Sequence, residues 1–160
     1  MSVRVCSVQC IIDRHVLLCN TVVVSHVHLV YIYNIILCYL VVVTTECHYD
    51  GTPNFVASIG GLRRWIMLHP SQCSRLHLLE RNSTSSRHSG VDWSAPDYAK
   101  YTGFQDALAN ELILRPGDVL FVPGLWFHFI VSLNVNFQCN ARTGSNNVHY
   151  RNLIRKCGKF

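Results

Sequence analysis

Thr45-Glu46-Cys47-His48-Tyr49-Asp50 closes a long uncharged run and opens a region of short apolar segments separated by turns. In an extended segment residues i and i+2 face the same side, so His48 and Asp50 can aim an imidazole and a carboxylate at one point. The pair alone is weak evidence. With nine histidines in 160 residues, a His-x-Asp arises by chance in about one such chain in three. The downstream residues give it weight.

Gly51-Thr52-Pro53 reads as a turn, 54–59 as a strand, Gly60-Gly61 as a second turn, and 64–68 as a strand ending at His69-Pro70. Residues 81–90 are rich in Ser, Thr, Asn and Gly and read as a mobile loop. One or two short helices are expected over 94–108, with Ser94 as cap and Pro96 in a first turn. Strands are expected at 111–114, 119–122, 126–132 and 135–142, punctuated by Arg115-Pro116-Gly117-Asp118, Pro123-Gly124 and Leu133-Asn134. Short strands at this spacing predict a sandwich or barrel.

The 126–132 strand carries His128. If the fold brings it beside His48 and Asp50, the result is two imidazoles and one carboxylate, the facial triad of non-haem Fe(II) sites, which leaves three octahedral positions open. The competing readings are ordinary ones: a surface histidine in a turn for His48 and a satisfied core histidine for His128. Trp126 and Phe127 read as core and pocket wall, and Asp118 as a turn residue. His69, His77, His88 and His149 have no spacing that suggests a second metal.

Upstream, residues 15–45 contain no Asp, Glu, Lys or Arg and are dominated by Val, Ile, Leu and Tyr. Three readings compete for 1–44: buried strands, which the β-branched content favours; a membrane segment through 27–43; and an altered start. The densest apolar run, 29–43, is shorter than a membrane span requires. The chain as a whole is 49% hydrophobic and 14% charged, which excludes a disordered polypeptide, and its net charge of +5 suits RNA or an anionic co-substrate as well as a plain solvated surface. Eight cysteines without a C-x-x-C pair read as reduced, buried thiols of an intracellular protein.

Taken in order, His48-Tyr49-Asp50, Asn54, Gly61-Leu62-Arg63-Arg64-Trp65, the run from Pro116 to Pro123 and Trp126-Phe127-His128 resemble the JmjC or cupin-like 2-oxoglutarate oxygenases, over about residues 45–142. The likeness is greatest to the small hydroxylases of that family, the tRNA wybutosine-pathway and asparaginyl types. It implies a mainly β fold, a double-stranded β-helix or cupin-like jelly roll, here with an incomplete N-terminal side. It divides the chain into 1–44, a domain at 45–142 and a basic tail at 143–160. It implies Fe(II) held by His48, Asp50 and His128, and 2-oxoglutarate as co-substrate held by Thr45, Asn54, Arg63 and Asn140. The implied activity is hydroxylation of a protein side chain or a tRNA base in the cytoplasm or nucleus; the alternative is an inactive or truncated cupin-like binding module, possible also at a membrane.

Two departures stand out. Arg63 occupies a position where the family often has Lys, and an arginine fork holds a carboxylate in two parallel hydrogen bonds. Because strand neighbours face opposite sides, only one of Arg63 and Arg64 can point inward. After Asn140 the family usually has aromatic residues, whereas this chain has Ala141-Arg142.

Overall fold

The computed structural model describes residues 10–13, 16–19, 36–41, 43–142, 144 and 148–157, the side chains only from 43 onward. The reading of 27–43 as a membrane segment falls mostly outside these residues; within it, Ile36–Val41 is a strand. No helix among the described residues is long and apolar enough to cross a membrane.

Ten strands are described. β1 (Cys10–Asp13) and β2 (Val16–Cys19) pair with each other. β3 (Ile36–Val41), β4 (Thr44–Tyr49), β5 (Asn54–Gly60), β6 (Arg63–Leu68), β7 (Asn110–Leu114), β8 (Val119–Val122), β9 (Phe127–Ser132) and β10 (Asn136–Arg142) form two antiparallel sheets, in the orders β3-β10-β5-β8 and β4-β9-β6-β7. From β4 to β10 the chain passes repeatedly between the sheets, which is the jelly-roll arrangement expected. The passages are tight. At Gly61, with φ +71°, a Cβ would collide with the backbone of Val135 and Asn136, so the β5–β6 turn requires glycine.

Register explains which side chains share the interior. Residues directly opposite one another point to the same side. Arg63, Trp65 and Met67 lie opposite Ser132, Ile130 and His128, while Asn54 and Val56 lie opposite Val122 and Leu120. Between the sheets, Val56, Trp65, Met67, Leu114, Leu120, Val122 and Ile130 make one apolar core. Each large aliphatic or aromatic side chain buried this way contributes about 1.5–3 kcal/mol.

The other face of the β4-β9-β6-β7 sheet has its own core. Cys47, Tyr49, Leu68, Phe127 and Phe129 pack against Leu76, Leu78 and Ile154, under a 3-10 turn (Pro70–Arg75) and helix α1 (Val148–Lys156). The stretch expected as a basic tail thus carries a helix, whose Tyr150 and Ile154, with Cys157 just past its end, pack against this core. The expected helices over 94–108 reduce to turns and one short 3-10 segment (Phe104–Asp106). The reason is local: Asp92 accepts from the backbone of Ser94 and Ala95, and Asp97 from Ala99 and Lys100, so these carboxylates hold turns and Ser94 caps nothing.

The expectation of reduced, buried cysteines holds at Cys47 and is overturned at Cys73, Cys139 and Cys157. Cys73 and Cys157, 84 residues apart, are joined by a disulfide, Cys139 is also disulfide-bonded, and Cys47 is a free buried thiol. Spacing in the sequence concealed the first bond because α1 folds back onto the 3-10 turn. The loop at 81–90 is pinned as well: Tyr49 N–H donates to Arg87 O (3.2 Å) and Ser89 N–H to Cys47 O (2.8 Å), so 87–89 pairs along the free edge of β4.

Candidate metal centre

At one end of the sandwich, β4 finishes, β5 and β9 begin, and β10 finishes. His48 on β4 lies directly opposite His128 on β9, so both rings face the interior, 4.4 Å apart between centroids and inclined at 61°. Asp50 follows β4 immediately and is buried. One ligand atom from each of His48, Asp50 and His128 lies within 4.8 Å of the others.

Hydrogen bonds orient all three. The Nδ1 of His48 lies 2.8 Å from Glu46 O and that of His128 lies 3.0 Å from Trp126 O. A carbonyl oxygen can only accept, so each Nδ1 carries the proton and each Nε2 presents a lone pair to the shared space. Asp50 Oδ2 is held by Arg142 Nη2 at 3.1 Å, leaving the other oxygen uncommitted. Asp50 O also accepts from Leu125 N–H (2.8 Å). Leu125 itself has φ +70° and a buried side chain, a conformation costing on the order of 1 kcal/mol for a non-glycine residue.

Electrostatics keep the imidazoles neutral. Burial pushes the His128 pKa down to about 4, with the neighbouring His48 adding to the effect. Burial also lowers His48, partly opposed by its bond to Glu46 O and by the charge of Asp50. Both rings are therefore lone-pair donors at neutral pH, the state in which histidine binds a metal.

Further along the same interior, Arg63 is buried, and its Nε has no hydrogen-bond partner. Burial works against its charged form. Its strand position is four residues from Met67, which faces His128, or about 13 Å along the backbone. Arg64 points outward and pairs with Glu111 through Nε (2.7 Å) and Nη2 (3.0 Å). Asn54 Oδ1, Gln138 Oε1 and Trp65 Nε1 are also buried without partners. Asn140 Oδ1 accepts from Gln138 Nε2 at 2.9 Å. Thr45 is half-buried opposite Ile130. Three residues from His48, it would face the other way in a regular strand; a bulge between Thr45 and His48 turns both to one side.

The sequence-predicted set thus falls into two groups. His48, Asp50 and His128 converge, with Asn54 at the same end of the sandwich, while Arg63, Thr45 and Asn140 lie deeper on the inner faces. Two residues at the site escaped the sequence reading. Arg142 could have been found, since alternation from Asn140 puts it on the same face. His88, whose ring stacks on His48 at 5.0 Å and 19°, could not, because the pairing of 87–89 with β4 leaves no periodic signal.

The cupin-like domain family matches residues 41–155. Among curated relatives, a tRNA wybutosine-synthesizing protein 5 of Danio rerio is 34% identical over 94 residues, 59% of this chain and 27% of that protein. A lysine-specific demethylase 8 of Xenopus tropicalis is 36% identical over 92 residues, 57% of this chain and 20% of that protein. JmjC domain-containing protein D of Dictyostelium discoideum is 31% identical over 94 residues, 59% of this chain and 21% of that protein. The chain matches about a quarter of the length of such relatives.

Proposed function

Since this chain belongs to the cupin-like domain family, we propose that it is an Fe(II)- and 2-oxoglutarate-dependent dioxygenase that hydroxylates a protein side chain or a tRNA base. The observation that carries the reading is the convergence of two imidazoles and one carboxylate between the sheets, with Arg63 buried further along the same interior and its Nε without a hydrogen-bond partner.

The donor set fits the implied metal. Two neutral imidazoles and a carboxylate suit Fe(II) and leave open positions for a chelating co-substrate and oxygen. Arg63 fits the co-substrate, because a buried guanidinium without a counter-ion gains most from a carboxylate that it can hold in two parallel bonds. Thr45, Asn54 and Asn140 supply hydroxyl and amide groups along the same interior. When bound, iron with 2-oxoglutarate supplies oxygen activation. The chain's own part is to aim His48, Asp50 and His128, to hold the distal carboxylate, and to keep water out with Trp65, Leu120 and Val122.

The two substrate classes come from the relatives, one named for tRNA wybutosine synthesis and one as a lysine demethylase. A second reading, a cupin-like module that binds a partner without turnover, is favoured by Arg142, whose guanidinium occupies one oxygen of Asp50. Titration of 2-oxoglutarate into the protein with Mn(II) in place of Fe(II) tests the site, and succinate release with Fe(II) separates the readings. Saturable, metal-dependent binding with succinate supports the dioxygenase; binding without succinate supports the module; no binding by folded protein counts against both. A cytoplasmic or nuclear setting is proposed with the substrate classes. Disulfides are rare there, so the Cys73–Cys157 bond weighs against that setting, and alkylation trapping of the pair in cells is the test: a reduced pair supports it and an oxidised one counts against it.

A further inference from the structure

The two candidate imidazole ligands are not equally secured. His128 sits on the second strand of its sheet, is buried, and has Trp65 on one flank (5.8 Å between centroids) and His48 on the other. His48 sits on β4, the outermost strand of that sheet, and is only half-buried. Its single hydrogen bond, to Glu46 O, is to a neighbour on its own strand and does not by itself stop the ring from swinging.

The segment 87–89 supplies what β4 lacks. It pairs with β4 on one side and with 77–79 on the other, through Leu79 N–H to His88 O (3.0 Å) and Gly90 N–H to His77 O (2.8 Å). Ser89 Oγ donates to Leu76 O (2.7 Å) and Tyr101 Oη to Gly90 O (2.6 Å), anchoring the segment to the body of the domain. His88 lies directly opposite His48, so its ring turns to the same interior side. Its Nδ1 lies 3.2 Å from Ser85 O, which fixes the ring. His88, His48 and His128 therefore form one row across the sheet, with the middle ring held between a parallel neighbour and an edge-on one.

We propose that His88 is a positioning residue of the metal centre: stacked on His48, it fixes the plane in which that ring aims Nε2, and so joins the 80–91 loop to metal binding. The inference rests on the triad being a metal centre. A flat aromatic face is what the role requires; a nitrogen is not, since His88 falls outside the group whose ligand atoms lie within 4.8 Å.

The test is Mn(II) titration calorimetry on three variants of the full chain, with the absorption spectrum of the Co(II)-saturated protein as a second readout. Loss of an outer partner of a ligating histidine weakens metal binding about 10- to 100-fold. His88→Ala should fall in that range and alter the Co(II) spectrum even at saturation. His88→Phe keeps the face and should restore both to within about twofold, while His88→Gln, polar but not flat, should behave as alanine does. Wild-type affinity in His88→Ala, or rescue by glutamine as good as by phenylalanine, overturns the proposal while leaving the triad intact. Absence of Mn(II) binding in the unsubstituted protein overturns both.

Discussion

The two faces of the β4-β9-β6-β7 sheet are built from the same strands and serve different ends. On the outer face Cys47, Tyr49, Leu68, Phe127 and Phe129 meet an apolar layer that α1 and the Cys73–Cys157 bond hold in place. On the inner face, beyond the apolar core, His48, His128 and Arg63 look into a space shared with Asn54 and Gln138, where several polar atoms are buried without partners. Each such atom costs about 1–3 kcal/mol of desolvation. A fold carries that cost where a ligand later satisfies the groups, and the inner face gathers Asn54 Oδ1, Arg63 Nε, Trp65 Nε1 and Gln138 Oε1, whereas the apolar core of the outer face has the indole nitrogen of Trp93 beside it.

The widest separation of the faces comes from their most specific residues. Asp50→Ala or the space-filling His128→Phe removes one of three ligands and should abolish Mn(II)-dependent 2-oxoglutarate binding in calorimetry, a loss beyond about 100-fold, with little change in thermal unfolding. Reducing or deleting the Cys73–Cys157 bond should do the reverse. Closing a loop of 84 residues stabilises by about 2–5 kcal/mol, so urea unfolding should shift by that much while metal affinity in the folded protein stays within about twofold. A disulfide variant that loses metal affinity would show the faces to be coupled.

Much of this division was legible in the sequence. The strands from β5 to β10 begin and end within a few residues of expectation, because turn residues such as Pro116-Gly117 and Gly60-Gly61 punctuate them. The pairing of His48 with Asp50 followed from alternation; the same rule allowed only one of Arg63 and Arg64 to point inward, and the family resemblance selected Arg63. What stayed hidden depended on contacts distant in sequence: the return of α1 that brings Cys157 to Cys73, the edge pairing that places His88, and the contact of Arg142 with Asp50. The bulge that turns Thr45 toward the site was hidden for a different reason, since a local break in register leaves no mark on composition.

Arg63→Ala should raise the 2-oxoglutarate dissociation constant about 10- to 100-fold, the range for a charge-assisted contact, and leave Mn(II) affinity unchanged. A parallel loss of metal affinity would place Arg63 in the architecture of the triad and not in co-substrate binding. Acid should act on the inner face as well. His128 is neutral when folded down to about pH 4, whereas an unfolded histidine takes up a proton near 6.5. Between those values the unfolded chain binds more protons, so His128's contribution makes stability fall as pH drops from about 6.5 toward 4 and recover as pH rises. Urea midpoints at pH 7 and pH 5 measure the slope, and His128→Phe should flatten it.

The smallest effect belongs to the residue beside Arg63. Arg64 is exposed and shares a two-pronged pair with Glu111 on the neighbouring strand, where solvent screens the attraction and side-chain ordering offsets it. Arg64→Ala should therefore leave the urea midpoint, Mn(II) affinity and 2-oxoglutarate affinity at their starting values. The two arginines are the same side chain one residue apart, so their contrast isolates the face as the variable. Equal losses of 2-oxoglutarate affinity in both would mean that net positive charge, and not the buried geometry of Arg63, attracts the dicarboxylate; raising the salt concentration would then erase the difference from wild type, since exposed charges are screened within about 10 Å at 0.1 M while a buried pair is not.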